Sequence, residues 1–135
     1  MAYLLDTGTL AEVLRTAPSR TLVRRLTSIP PRDRWTSVIS VSQLLLAARR
    51  SGRTRLMQDV LRLVTAIKVA PFDLTAAQAF AKLRATDGAP EGAAEGDPDD
   101  AMIAAIALAN DFTLVTRRPG DFARFPQLRA ESWIA

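Results

Sequence analysis

Residues 96–122 read GDPDDAMIAAIALANDFTLVTRRPGDF. The stretch opens on an acidic knot, runs through an apolar helix pattern into a short strand pattern, and closes on a turn with one more aspartate. Asp97 is expected at the N-cap, Pro98 at the first helical position, and Asp99 and Asp100 in the rest of the first turn. Proline has no N–H to lose there, and carboxylates face free N–H groups and the positive end of the helix. Met102, Ile103, Ile106, Ala107 and Ala109 form the expected buried side, and Asn110-Asp111 stop the helix. Phe112–Thr116 is the expected strand, Arg117-Arg118-Pro119-Gly120 a turn, and order resumes at Asp121-Phe122. Carboxylates therefore stand at both ends of a helix–strand unit.

Outward from this unit, Tyr3–Leu5 reads as a short strand that ends at Asp6. Consecutive apolar positions suit a strand buried on both faces. A carboxylate at the carboxyl end of such a strand lies where open α/β sheets place ligands. The alternative is local: Asp6 caps the turn or helix that follows. A helix is expected over Thr9–Ala17, and a second over Arg20–Thr27 with Ser19 as its cap and Leu22, Val23 and Leu26 buried. Trp35–Ile39 is a strand candidate. Ser40-Val41-Ser42-Gln43 carries a capping-box pattern, and the helix behind it is apolar almost all round at Leu44–Ala48. Arg49, Arg50, Arg53 and Arg55 cluster at its exit, either to complement the helix dipole or to guide RNA phosphates. Leu56–Ala66 is a further helix, Ile67–Val69 a short edge or parallel strand, and Thr75–Leu83 a helix capped by Thr75 with Gln78 in the capping-box position. Residues 86–96 are small, acidic and proline-containing, which predicts a loop able to flex over a site. Trp133-Ile134 is a final edge-strand candidate. Strands alternating with helices predict a parallel sheet between helical layers, in a single domain over residues 1–135.

Composition narrows the chemistry. The 135-residue chain has no cysteine and no histidine, which removes thiolate sites, imidazole bases and the histidine-containing zinc sites. A metal would sit among oxygens, as Mg²⁺ or Mn²⁺ does. Residues 15–68 hold 12 basic side chains against Asp33 and Asp59, whereas residues 87–100 hold six acids and no base. A basic body beside an acidic pocket suits a metal-dependent enzyme acting on a polyanion, although a merely solvated basic surface has the same composition. The start, MAYLLDTG, lacks the features of a signal peptide, and no apolar run is long enough to span a membrane, so a cytoplasmic protein is expected.

Asp6, Asp100 and Asp121 could meet at one sheet edge, joined by Asp97 or Asp99. Carboxylates held together repel unless a cation neutralises them or some are protonated. A hard divalent cation is the simple resolution, and it can activate water and neutralise charge on a phosphoryl oxygen.

YLLDTG at 3–8, TSVISVSQL at 36–44, DAMIAAIAL at 100–108 and LVTRRPGDF at 114–122 together resemble the PIN-domain ribonucleases, specifically VapC-type toxins of type II toxin–antitoxin pairs. The resemblance covers nearly the whole chain. It implies an α/β, PIN-like three-layer sandwich with a short, mostly parallel sheet. It also implies an Mg²⁺- or Mn²⁺-dependent endoribonuclease that cuts structured RNA such as tRNA or rRNA, leaving 5′-phosphate and 3′-hydroxyl ends. Asp6, Asp100 and Asp121 match the family's metal-holding acids, and Thr116 matches a hydroxyl residue near them. The expected partners are a VapB-type antitoxin, docking on the apolar face of Leu44–Leu46 and the early helices, and a second copy in a homodimer. Promoter DNA would be contacted only through the antitoxin, and no membrane is involved.

Two positions depart from the pattern. Gln43 stands where the family usually has a catalytic glutamate, so the pocket is one negative charge short. Either metal binding and activity are weakened, or Asp97 or Asp99 compensates, or the glutamine is an introduced inactivating change. Arg118 stands where the family often has asparagine, and it could contact a phosphate or crowd the metal pocket. Three readings follow: a ribonuclease toxin, a catalytically impaired PIN-like domain that binds protein or RNA, and an α/β core whose aspartates only cap.

Overall fold

The computed structural model describes residues 1–86 and 97–134. Its centre is β1 (Tyr3–Leu5), which pairs in parallel with β2 (Arg34–Ser37) on one side and β4 (Thr113–Val115) on the other. The edges are β3 (Lys68–Ala70), parallel to β2, and β5 (Ala130–Glu131), parallel to β4. The five strands run in the order β3-β2-β1-β4-β5. The chain leaves β1 toward β2 and β3 and later returns to β4 on the other side. The order therefore reverses at the β1–β4 boundary, where doubly wound sheets open a ligand crevice at the strands' carboxyl ends.

Two apolar layers explain the consecutive hydrophobic residues of β1 and β4. Leu4 and Leu114 face one cluster, with Ala76 and Leu83 of α5 (Leu74–Thr86), Ile103 and Ile106 of α6 (Pro98–Ala109), and Phe112, Phe122 and Phe125. Leu5 and Val115 face the other, with Leu10 of α1 (Thr7–Val13), Leu22 of α2 (Arg20–Ser28), Leu44 of α3 (Val38–Ser51), Val60 of α4 (Thr54–Ala66) and Trp133. Period-two alternation sends neighbouring leucines to opposite faces, and both faces are dry. The expected α/β sandwich is present. No helix among the described residues is long and apolar enough to cross a membrane.

Several local expectations shift. The first helix starts at Thr7, directly behind Asp6, and ends at Val13 rather than Ala17. Val23 of α2 is 39% exposed rather than buried, because Leu22 alone takes the core position on that turn. The second strand ends at Ser37, and Val38 and Ile39 already belong to α3. Ser37, not Ser40, is that helix's N-cap, its Oγ accepting from the Ser40 N–H at 2.9 Å. Sheet pairing decides this, since Ser37 is still in register with Ala70 of β3 and the chain can turn only after it. Asp73, not Thr75, caps α5, accepting from the Ala76 N–H at 3.0 Å. Trp133-Ile134 is not a strand: the last pairing is β5, and Trp133 instead packs edge-on against Tyr3 at 5.1 Å. The expected loop beyond Thr86 lies outside the described residues.

Candidate active site

Every candidate side chain comes from an element that begins or ends at the carboxyl edge of the sheet. Asp6 follows β1. Its N–H donates to the Val115 carbonyl at 3.0 Å, which pins it to the mouth of the β1–β4 crevice. The side chain is buried and accepts from the Thr9 N–H at 2.9 Å, so Asp6 is the N-cap of α1. Only Oδ1 is used in that bond, so capping and a role at the crevice are compatible.

Twelve residues of α6 run back toward the start of β4, a span of about 18 Å, which puts the α6 amino terminus at the same edge. As the sequence pattern predicts, Asp97 caps it, accepting from the Asp99 N–H at 2.9 Å, with Pro98 at the first helical position. The other two acids of the knot are half-buried and reach other elements. Asp99 Oδ2 accepts from Gln43 Nε2 at 2.7 Å. Asp100 Oδ1 meets an Arg118 guanidinium nitrogen at 3.5 Å.

The 3-10 turn Pro119–Phe122 follows β4 and carries Asp121, whose carboxylate binds the other Arg118 nitrogen at 2.9 Å. Thr116 is buried, and its Oγ1 accepts from the Arg118 N–H at 3.1 Å, which fixes where that arginine leaves the backbone. Two linked groups result. In the first, the Thr7 hydroxyl donates to Gln43 Oε1, and the Gln43 amide donates to Asp99. In the second, Arg118 bridges Asp100 and Asp121.

Burial raises the Asp100 carboxyl above its ordinary value, the Arg118 and Arg124 charges oppose this, and Asp97 adds to it. Burial works against the Arg118 charge as well, yet Asp100 and Asp121 overcome it and hold the guanidinium above its ordinary value. The Asp100 side chain is 14% exposed and that of Asp121 57%, so the two acids are not equivalent: one is in the crevice and one on its rim.

Among the described residues, no group of three or more acidic side chains is close enough to hold a metal ion. Arg118 is the reason for the pair it spans, because a guanidinium already stands between the two carboxylates. The donor set itself suits a hard divalent cation, being carboxylate, amide and hydroxyl oxygens with neither sulfur nor imidazole in the chain. Arg118 is the stand-in cation for Asp100 and Asp121 alone.

Sequence reasoning missed three neighbours. Thr7 orients Gln43, and its position next to Asp6 was the available signal. The Arg117 stem lies 3.7 Å from where a Cβ on Gly8 would stand, which brings a second arginine to the lip of the crevice. Arg124 acts on Asp100 through its charge while resting 4.6 Å over the Phe125 ring. The buried Glu12 is also new, but it serves the fold, accepting from the Ser19 N–H and pairing with Arg15 to tie α1 to α2. The arginines at the exit of α3 lie beyond the site along that helix: Arg49 and Arg50 follow Gln43 by six and seven residues, about 9–10 Å of helical rise.

The PIN domain family model matches residues 3–128. The chain belongs to the PIN-domain family. It is a relative of the FitB and VapC toxins of type II toxin–antitoxin systems. Toxin FitB of Neisseria gonorrhoeae is 34% identical over 130 residues, covering 88% of this chain and 89% of that protein. VapC ribonuclease Y4jK of Sinorhizobium fredii is 32% identical over 129 residues, covering 87% and 88%. Among solved structures, a chain of the DNA-bound VapBC complex from Salmonella typhimurium superposes with a TM-score of 0.83 at 26% identity, over 98% of both chains. PIN-family membership supports nuclease potential and general metal dependence, whereas the particular acids that serve them here are a matter for proposal.

Proposed function

We propose that this PIN-domain protein is the toxin of a toxin–antitoxin pair and hydrolyses structured RNA at the carboxyl edge of its sheet. What supports this reading is a PIN fold in which β1 ends just before Asp6, α6 begins with Asp100 in its first turn, and the turn after β4 carries Asp121, around the β1–β4 switch point. Asp6, Asp100 and Asp121 would hold Mg²⁺ or Mn²⁺. When bound, such an ion supplies an activated water and neutralises charge on the phosphoryl oxygen. In the net reaction one water is consumed: its oxygen bonds to phosphorus, the bond to the 3′ oxygen breaks, and that oxygen takes the proton. Arg117, Arg118 and Arg124 surround the acids and would draw RNA phosphates onto them. Of the arginines at the α3 exit, Arg49 and Arg50 lie in the last turn of α3 and match the helix-dipole reading, whereas Arg53 and Arg55 sit at the start of α4.

Those arginines border a different feature. A groove of about 560 Å³ between α1, α3 and α4 has Leu14, Leu44, Leu56 and Val60 on its walls and Arg15 and Arg53 on its rim. An antitoxin helix with an apolar stripe and flanking acids fits this chemistry, and Leu46 on another face of α3 is 48% exposed. The FitB and VapC relatives support a cognate antitoxin and a dimeric toxin–antitoxin assembly.

The Arg118 bridge favours a second reading, a pocket too occupied to take metal, in which the domain only binds. Total RNA incubated with the purified chain, with Mn²⁺ or with chelator, separates the two. Cleavage that needs metal and disappears in Asp6→Asn supports the nuclease. RNA retention without cleavage under every condition supports the binding module.

A further inference from the structure

We propose that Gln43 and Asp99 act as a matched pair, in which Gln43 is a positioning residue and Asp99 carries the negative charge that position 43 lacks. The inference rests on the nuclease reading of this edge. A side-chain amide has two unlike ends, and both are committed here. Its oxygen accepts from the Thr7 hydroxyl, and its nitrogen donates to Asp99 Oδ2 at 2.7 Å. That order is fixed by chemistry, since a carboxylate cannot receive a bond from an amide oxygen. A hydrogen bond to a charged acceptor is about twice as strong as one between neutral groups.

Asp99 is free of the duty expected of an acid in a first helical turn. Asp97 already caps α6, using the Asp99 N–H. The Asp99 side chain therefore reaches across to α3, through the amide that also grips the residue after Asp6. The edge keeps Asp6, Asp99, Asp100 and Asp121, so Gln43 does not leave it short of charge.

Gln43→Glu does not fill a gap; it sets a carboxylate against the Asp99 carboxylate where a 2.7 Å hydrogen bond now stands. Like charges at that range repel unless a proton or a cation intervenes.

The test is a double-substitution cycle of Gln43→Glu, Asp99→Asn and the two combined, read by Mn²⁺ affinity from the electron spin resonance of the free ion and by melting temperature in chelator at neutral pH. Asp99→Asn is expected to weaken Mn²⁺ about tenfold, and Gln43→Glu to lower the metal-free melting temperature by about 3–6 °C. The combined variant, which moves the charge from 99 to 43, is expected to recover the melting temperature and to bring Mn²⁺ affinity back within about threefold. A merely structural Gln43 would not give that recovery in affinity. Additive melting losses, or Mn²⁺ affinity untouched by Asp99→Asn while Asp100→Asn abolishes it, overturn the pairing and leave the nuclease reading standing. Affinity indifferent to Asp100→Asn as well overturns both.

Discussion

Two groups of side chains share the carboxyl edge of this sheet and are held together differently. Thr7, Gln43 and Asp99 are joined through a neutral amide whose ends are both satisfied. Asp100, Arg118 and Asp121 are joined through a cation, with Arg118 and Asp121 each more than half exposed. The first group is a fixed hydrogen-bond arrangement. The second is an ion-pair bridge of a kind that water and salt weaken, and solvent-exposed pairs contribute only about 0–1 kcal/mol. A divalent cation binding Asp100 and Asp121 would therefore displace Arg118 at little cost, whereas at Gln43 it would meet an amide already bonded at both ends. Of the two departures from the family pattern, Arg118 is the adjustable one.

The sharpest break of this comparison is Asp100→Asn. If the cation-bridged group is the working one, metal-dependent RNA cleavage falls by about 10²–10⁴-fold, measured under single-turnover conditions. Full activity in this variant would remove the distinction between the two groups. Arg118→Gln is next: removing the stand-in cation should tighten Mn²⁺ binding about tenfold at low ionic strength, with the gain shrinking as salt is raised. RNA binding in chelator should weaken in the same variant, which a filter-binding titration reads separately.

The stability predictions are smaller. Ser37→Ala removes the cap of α3, the helix that presents Gln43, and should lower unfolding free energy by about 1 kcal/mol in urea. The loss from Ser40→Ala should be less than about half of that, since Ser40 gives no cap. The smallest effect concerns protons. The Asp100 carboxyl is held above its ordinary value of 3.8, so the folded chain binds that proton more tightly than the unfolded chain. Stability is then lost as pH rises from the ordinary aspartate value through the raised one. Without metal, Asp100→Asn should raise the melting temperature at neutral pH by about 1–2 °C, and the gain should vanish as pH falls below the ordinary value.

The helix at 98–109 was legible because its signals are local. Asp97, Pro98 and the stop at Asn110 act within a turn of their own backbone, and the apolar residues between them leave no competing period. The neighbouring starts were not legible. Ser37 and Ser40 offer equivalent caps, as do Asp73 and Thr75, and the choice depends on where β2 ends and on which N–H groups face the solvent. The edge strand at Ala130–Glu131 was hidden for a related reason: it is two residues long, and only β4 makes it a strand.

The order of elements, the absence of histidine and cysteine, and the placing of aspartates after β1, at the start of α6 and after β4 belong to the sequence itself, because each follows from residue type or short-range periodicity. The partners of those aspartates do not. Gln43 lies 56 positions from Asp99, and Arg118 lies 18 from Asp100. Such pairs form only once parallel pairing has brought the strand ends to a common edge and both sheet faces are covered. Side-chain chemistry sets what each group can do, and the tertiary structure decides which group it does it with.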